Sequence, residues 1–379
     1  MTSTPHPLLP AATPVLRFDA GAVQVGGVDS GPGVRIGPDA VDLARLLRGL
    51  DGRRAQRTVL ADAASAGLDP ATVVGVLDGL RAAGLLMDAD AADLLAADAG
   101  PAAAARTSAE LPAALAAGPA GPVWQRRRTA VVAVEGANRI GVPLAAVLAA
   151  SGIGRISVRD AGVVTAGDAI VGGLSAADEG RPRAVAAADA VRRASPLADL
   201  RPLTDEAADL VVLTRPWAAS DPVVAAELDV GVPHLVATVR GEVGVVGPMV
   251  VPGVTACLRC ADLHRRDADP AWPGLAAQLT ATDPPPSGAT VTCLVTVATA
   301  ALQVLAYVDG SAAPATLGAT VELRPPDLRP RLRSWRPHPA CECGAAADHT
   351  RERHGATLSG EARTALPSAN DAAQGRMGG

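Results

Sequence analysis

The sequence contains no lysine and very few aromatic residues. Every basic side chain other than histidine is arginine, and the 379 residues include one Phe, one Tyr and four Trp. The cores must therefore be built from aliphatic side chains, and a hydrophobic share of 49% excludes a wholly disordered chain. The formal net charge of −5 gives no general attraction to phosphate backbones. We therefore expect that nucleic acid is not the main partner.

Segments that would direct the chain into or across a membrane are also lacking. Residues 1–14 contain neither a basic region nor an apolar run, so we expect no secretion signal. Residues 289–308 form the only long run without charge, but threonines and a glutamine interrupt it. We interpret this run as a strand followed by a helix in a protein core rather than as a membrane span. These observations predict a cytoplasmic protein.

Cysteine is too sparse for a disulfide framework, yet four of the five cysteines fall into two close pairs. The paired residues are Cys257, Cys260, Cys341 and Cys343. Close pairs in cytosolic proteins usually bind metal, and four thiolates close a tetrahedral structural zinc site. Because the second pair is Cys-x-Cys, His338 is an alternative ligand, and His264 is a less favoured one.

Residues 1–95 have the pattern of a small α+β domain. Short β-type runs occur at residues 15–18, 23–25 and 34–36. Helical patterns follow, beginning near Val41, Thr58 and Asp69. Three strands followed by three helices predict a winged-helix-like fold. We predict an Ala/Pro-rich linker over residues 96–125 and a disordered tail over residues 346–379.

Residues 126–345 open with the pattern of a nucleotide-binding βαβ unit. An apolar run at residues 129–134 leads into a glycine turn, a helical pattern at 143–151 and a second strand that ends in an acid. In such units glycines let the backbone approach a phosphate, the helix N-terminus donates N–H groups, and the acid accepts ribose hydroxyls. The pattern predicts a Rossmann-like α/β domain. Its candidate nucleotide-binding residues are Gly136, Asn138, Gly141 and Asp160.

The amino-acid sequence around this loop resembles that of one particular protein family. The segment Ala149-Ala-Ser-Gly-Ile-Gly-Arg-Ile-Ser-Val-Arg-Asp160-Ala-Gly-Val-Val164 is similar to the signature of ThiF/MoeB-type (ubiquitin-activating-like) proteins. Residues 180–196, 209–213 and 241–260 are similar to later segments of the same family. The resemblance spans residues 126–345 and implies a zinc-stapled domain that binds ATP and magnesium, adenylates a carboxylate and forms a homodimer.

The resemblance also assigns roles to two further residues. Arg183 stands where the family has a lysine, which implies a part in nucleotide binding and catalysis. Cys293 lies near the position where sulfur-transferring relatives carry a reactive cysteine. A small apolar side chain in the core is the alternative interpretation of Cys293.

Three departures from the family pattern predict weakened ATP chemistry. Gly162 replaces the second acid of the signature, and residues 168–174 contain no arginine where the family has one. Thr214-Arg-Pro-Trp217 follows the third strand, where an acid is expected. Loss of charge stabilisation in the transition state commonly costs orders of magnitude in rate. We therefore predict a catalytically degenerate domain.

Residues 1–95 carry a second resemblance, to leader-peptide recognition domains. Residues 50–52 and 80–86 are similar to those domains, which precede ThiF-like domains in cyclodehydratase partner proteins. This implies that the protein binds a precursor peptide as an added strand and presents it to a modifying enzyme such as a YcaO-type cyclodehydratase. Two alternatives stay open. One is an adenylyltransferase that activates the carboxyl terminus of a peptide or small protein, and the other is a regulatory winged-helix protein with a nucleotide-sensing domain.

Overall fold

The computed structural model describes residues 5–18, 21–28, 31–37, 40–89, 110, 114, 123–203, 208–215, 231–280, 288–310, 312–327 and 329–345. The chain falls into two units, Met1–Arg128 and Thr129–Gly379. Most of the predicted linker and the whole predicted tail lie outside the described residues. A helix that begins at Val123 occupies the end of the predicted linker.

The first unit contains the predicted three strands and three helices. A two-residue pairing joins β1 (Pro7–Leu8) to β5 (Met87–Asp88). The antiparallel sheet has the order β2 (Val15–Phe18), β3 (Ala22–Gly26), β4 (Gly33–Ile36). The helices are α1 (Val41–Arg48), α2 (Gln56–Ser65) and α3 (Pro70–Ala82). Leu47, Leu77 and Leu80 are fully buried in its core, and the winged-helix type stays a prediction.

Helix α3 shows how local sequence fixes these elements. The Asp69 carboxylate accepts hydrogen bonds from the N–H groups of Ala71 and Thr72, and Pro70 occupies the first helical position. Both features stabilise a helix start, because the first-turn N–H groups have no partner within the helix and proline has none to lose. The sequence-based start at Asp69 is therefore confirmed.

The second unit is built on a seven-stranded mixed sheet with the order β12-β11-β10-β9-β8-β6-β7. Its strands are β6 (Val131–Glu135), β7 (Arg155–Arg159), β8 (Leu210–Leu213), β9 (His234–Arg240), β10 (Val243–Val250), β11 (Ala319–Leu323) and β12 (Arg331–Ser334). Strands β7, β6, β8 and β9 pair in parallel, and β9 to β12 pair antiparallel. The parallel half confirms the predicted Rossmann-like α/β fold.

Helices cover both faces of this sheet. Helix α4 (Val123–Thr129) precedes β6 in the chain. The helices of the second unit are α5 (Gly141–Ala150), α6 (Arg183–Ala194), α7 (Leu258–Ala268), α8 (Trp272–Thr280) and α9 (Thr290–Asp309). The side chains of α5 and α9 share one core cluster with the sheet, and the start of α7 belongs to a second cluster that includes paired cysteines. The carboxyl ends of the parallel strands therefore meet the start of α5.

The interpretation of residues 289–308 as a strand followed by a helix was wrong, because a single helix, α9, covers them. The hydroxyl groups of Thr296 and Thr299 donate to the carbonyl groups of Thr292 and Val295, so threonine fits inside the helix. By length and composition α9 is the one helix of the described residues that could cross a membrane. One side of it nevertheless packs into the core on β9, β10 and α5.

Candidate nucleotide loop and metal centre

The loop between β6 and α5 has glycine at the two positions where a side chain does not fit. Gly136 has a φ of 110°, and a Cβ atom there would lie 2.4 Å from Thr214 Oγ1. A Cβ atom on Gly141 would lie 1.9 Å from the carbonyl oxygen of Gly136. The close turn that a phosphate-binding loop requires is therefore present.

Asn138 occupies the N-terminal end of α5. Its Oδ1 accepts hydrogen bonds from the N–H groups of Ile140 and Gly141, both at 2.9 Å. Its Nδ2 donates to Thr214 Oγ1 at 3.0 Å. The N–H groups at a helix start are the donors that would otherwise bind a phosphate. The loop thus satisfies these two donors internally.

Asp160, predicted to accept ribose hydroxyls, is enclosed by protein partners. Its side chain is 6% exposed. One carboxylate oxygen accepts from the N–H of Ala137 at 2.6 Å and lies 3.6 Å from Arg183 Nη1, and the other lies 3.3 Å from Arg215 Nη2. Both oxygens therefore have partners within the protein, and ribose would have to displace them.

Arg183 joins Asp160 to a second buried acid, Asp168. Its Nη2 lies 2.9 Å from an oxygen of Asp168, whose side chain is 2% exposed, and its Nε donates to the carbonyl of Val163 at 2.9 Å. Asp168 also accepts hydrogen bonds from the N–H and hydroxyl of Thr165. Arg183 therefore neutralises two carboxylates that would be costly to bury alone.

Magnesium does not fit the described residues at this edge of the sheet. The carboxylates there are Glu135, Asp160 and Asp168, and each has an arginine partner. Thr214, the residue after β8, donates its hydroxyl to the carbonyl of Glu135 at 2.7 Å. Hard divalent cations need carboxylate oxygens that are not already paired. Pro216 and Trp217, the rest of the predicted segment, lie outside the described residues.

Cys293 lies in the core of the second unit. The residue is fully buried, and burial raises the pKa of its thiol, which disfavours the reactive thiolate. Nearby, Arg139 donates to the carbonyl of Gly288 at 2.7 Å and to Thr290 Oγ1 at 3.1 Å. This geometry favours the core interpretation of Cys293.

The four paired cysteines converge on one point. Their Sγ atoms all lie within 4.8 Å of one another. The separations are 3.8 Å for Cys257 and Cys260, 3.6 Å for Cys257 and Cys341, and 3.6 Å for Cys260 and Cys343. A tetrahedral zinc ion with Zn–S bonds of about 2.3 Å requires sulfur–sulfur separations of about 3.8 Å, whereas a disulfide requires about 2.0 Å. The cluster therefore fits a zinc ion held by four thiolates.

Both histidines proposed as alternative ligands are bonded elsewhere. His338 Nε2 lies 2.7 Å from Asp267 Oδ2, and its Nδ1 accepts from the N–H of Ala340. His264 Nε2 lies 2.9 Å from the carbonyl oxygen of Arg336. The backbone N–H of His338 instead donates to Cys260 Sγ at 3.4 Å, so this residue supports a ligand rather than replacing one.

The chain matches one known protein family. The model of the ThiF family matches residues 114–345, more than half of the chain. The chain belongs to the ThiF family. This confirms the ThiF/MoeB-type resemblance drawn from the glycine loop and the segments after it. A comparison with curated protein sequences gives no significant match.

Several solved structures are similar to this ThiF-family chain. E. coli MccB in complex with MccA is 17% identical, with a TM-score of 0.61, over 89% of this chain and 99% of MccB. E. coli MccB with ATP is 16% identical over the same shares, also with a TM-score of 0.61. PaaA is 17% identical over 85% of this chain and 98% of its own, with a TM-score of 0.53. At these identities the similarity shows the fold.

The contacts of two arginines at the ThiF loop were not predicted from the sequence. From the sequence, Arg215 is only part of a segment that lacks an expected acid, and no role is predicted for Arg139. Arg215 immediately follows the residue after β8, and parallel strands end at the same edge of a sheet. That placement was the available signal that Arg215 would reach Asp160.

Proposed function

We propose that this ThiF-family protein binds a precursor peptide and presents it to a separate modifying enzyme, and that its nucleotide loop does not adenylate a substrate. The proposal that the loop does not adenylate a substrate is supported by the hydrogen bonds and ion pairs that the loop makes within the protein. Asn138 holds the first N–H groups of α5, and Asp160 is bound by Ala137, Arg183 and Arg215. An adenylating site needs these groups for ATP.

The MccB structures support the peptide-binding part. MccB is described as a Microcin C7 biosynthetic enzyme and is seen in complex with N-formylated MccA. The similarity covers 89% of this chain, whereas residues 129–379 make up only about two thirds of it. The likeness to MccB therefore extends into the first unit. By the resemblance to cyclodehydratase partner proteins, we propose that the modifying enzyme is of YcaO type. By the resemblance to ThiF/MoeB-type proteins, we propose that the protein is a homodimer.

The outer edge of β4 is the proposed peptide site in the first unit. None of the described residues pairs with this edge, and α3 lies beside β4. The hydrogen bond from the N–H of Gly27 to the carbonyl of Pro32 fixes the alternation of the β3–β4 ladder. This bond directs the backbone groups of Val34 and Ile36 to β3 and those of Gly33 to the outer edge. An extended peptide can add there as a fourth strand.

Hydrogen exchange tests this site. With full-length protein and leader peptides encoded next to its gene, we expect the bound peptide to protect the amide of Gly33 about tenfold, the value of one hydrogen bond. The amides of Val34 and Ile36, which already bond to β3, should exchange as in the free protein. Equal exchange of the Gly33 amide with and without peptide would exclude the edge of β4.

The degenerate loop is tested by calorimetric titration with ATP and magnesium and by pyrophosphate exchange. We expect neither binding in the micromolar range nor exchange for the wild type. Asn138→Gly should increase ATP affinity, since it frees the N–H groups of Ile140 and Gly141. Micromolar binding and exchange by the wild type would contradict the proposal.

An adenylyltransferase is the second candidate, and the loop geometry is what favours it. Gly136 and Gly141 retain the close turn, and Asp160 faces the loop from the end of β7. If pyrophosphate exchange occurs with the carboxyl terminus of a peptide or small protein, this candidate replaces the first.

A further inference from the structure

The edge strand β12 of the second unit presents unpaired backbone groups. Trp335 donates its N–H to the carbonyl of Gly318, which fixes the alternation of the β11–β12 ladder. Arg331 and Arg333 therefore bond to β11 through their backbones, while the N–H and C=O groups of Leu332 and Ser334 point to the outer edge. None of the described residues pairs with that edge.

A row of arginines runs along the same strand. The exposed arginines are Arg329, Arg331, Arg333 and Arg336. Within the described ranges no carboxylate lies within 4.0 Å of any of the four guanidinium groups. Arg331 stands across from Glu322 in the ladder, but that carboxylate is bound by Arg324 at 2.5 Å. Among the described residues, no ion pair therefore compensates the positive charge of this edge.

Trp335 holds part of this row in place. The guanidinium of Arg333 lies 4.1 Å from the indole ring centroid, and that of Arg265 lies 4.9 Å from it. The indole N–H donates to Thr320 Oγ1 at 2.8 Å, and the residue is only 7% exposed. Cation–π contact with a fixed ring restricts Arg333 to one face of the sheet. On the opposite face Leu332 is 63% exposed.

These features define which kind of ligand would fit the outer edge of β12. A strand added at this edge would place one set of alternate side chains beside Arg331 and Arg333 and the other set beside Leu332. We propose that the outer edge of β12 binds an extended acidic peptide segment, with acidic and apolar residues in alternation, as an eighth strand of the sheet. This site is separate from β4 and does not depend on the function proposed for that edge.

Other occupants fit less well. A second copy of β12 would bring arginine opposite arginine, which is destabilising across strands. Nucleic acid would meet the positive charge but not the outward N–H and C=O groups, and Trp335 is too buried to stack on a base. Arginines on an edge strand also prevent aggregation. That role predicts no binding at all, so binding measurements separate it from the proposal.

The test uses full-length, zinc-loaded protein and a fluorescein-labelled peptide of alternating Glu and Val. The controls are a peptide of the same composition with its Glu and Val residues in two blocks, and a peptide of alternating Lys and Val. By fluorescence anisotropy at low salt we expect the alternating acidic peptide to bind at least tenfold more tightly than either control. Equal binding of the two acidic peptides would overturn the proposal.

Variants locate the site. Arg331→Gln with Arg333→Gln should weaken binding about tenfold, through loss of two exposed charge contacts. Leu332→Pro removes an outward N–H and should weaken peptide binding by a similar factor or more. Leu332→Ala keeps that N–H and is the control for loss of the side chain. The charge-matched control is Arg45→Gln with Arg57→Gln, two exposed arginines of the first unit, which should bind like the wild type. An equal loss in this control would overturn the proposal.

Hydrogen exchange gives a readout that does not depend on any variant. The peptide should protect the amides of Leu332 and Ser334 by at least tenfold and leave those of β4 unchanged. Protection at β4 alone would move the peptide to the first unit and overturn the β12 site. A single-stranded oligonucleotide that binds more tightly and displaces the peptide would do the same in favour of nucleic acid.

Discussion

Treatment with a strong chelator is expected to unfold the region around the cysteine cluster and to lower the melting temperature of the second unit by at least about 20 °C. Structural zinc contributes on the order of 10 kcal/mol, and each kcal/mol shifts the melting temperature of a domain of this size by roughly 2–4 °C. Burial raises the pKa of the Cys260 thiol to about 11, so without a cation this group stays protonated near neutral pH. A bound cation would stabilise four close thiolates.

The variant Cys260→Ser provides the same test by mutation. Cys260 is fully buried, its Sγ lies beside those of Cys257 and Cys343, and it accepts the N–H of His338. We expect this variant to bind less than one zinc per chain and to melt like the chelated protein. Cys293→Ala removes the cysteine outside the cluster and should keep one zinc per chain. A melting curve that a chelator leaves unchanged would contradict the zinc assignment.

Replacement of Arg183 by Leu is expected to destabilise the second unit by about 3–5 kcal/mol. The substitution leaves Asp160 and Asp168 buried without the guanidinium that lies near both. Removing one partner of a buried ion pair is costly because the remaining charge is not solvated. Urea unfolding of the full chain, followed through the transition of the second unit, measures the loss.

A surface ion pair on the same helix is the matched control. Arg192 is 58% exposed and pairs with Asp189, so Arg192→Leu should cost no more than about 1 kcal/mol. Adding Asp168→Asn to Arg183→Leu should recover part of the stability, because one unpaired charge is then removed. If the two arginine variants lose equal stability, Arg183 is not the centre of a buried network.

In the proposed function, one set of contacts explains both a loop that does not adenylate and a fold that is retained. Asn138 bonds to the first N–H groups of α5, and Arg183 and Arg215 lie beside Asp160, the groups that the proposal takes as the ancestral nucleotide contacts. We expect such contacts to supply stabilisation that a bound ligand would otherwise give. In the proposed function the ThiF domain is then a scaffold, and peptide binding takes place on sheet edges.

Features that depend on near neighbours in the chain could be predicted from the amino-acid sequence alone. The start of α3 follows from Asp69 and Pro70, and the βαβ unit follows from an apolar run, two glycines and a second apolar run. The cysteine pairs predicted a closed metal site, because the Cys-x-x-Cys and Cys-x-Cys spacings bring thiolates together locally. These patterns act over a few residues, where backbone geometry and periodicity decide the outcome.

Which distant groups meet depends on the fold of the whole sheet. Asn138 reaches Thr214 and Asp160 meets Arg215 because β6, β7 and β8 end at one edge of the sheet. The helical state of α9 was likewise set by its packing on β9, β10 and α5, since an apolar run with threonines suits either a strand or a helix. The outward-facing N–H of Leu332 depends on the β11–β12 ladder. Strand order and ladder alternation are properties of the folded sheet, and no local pattern specifies them.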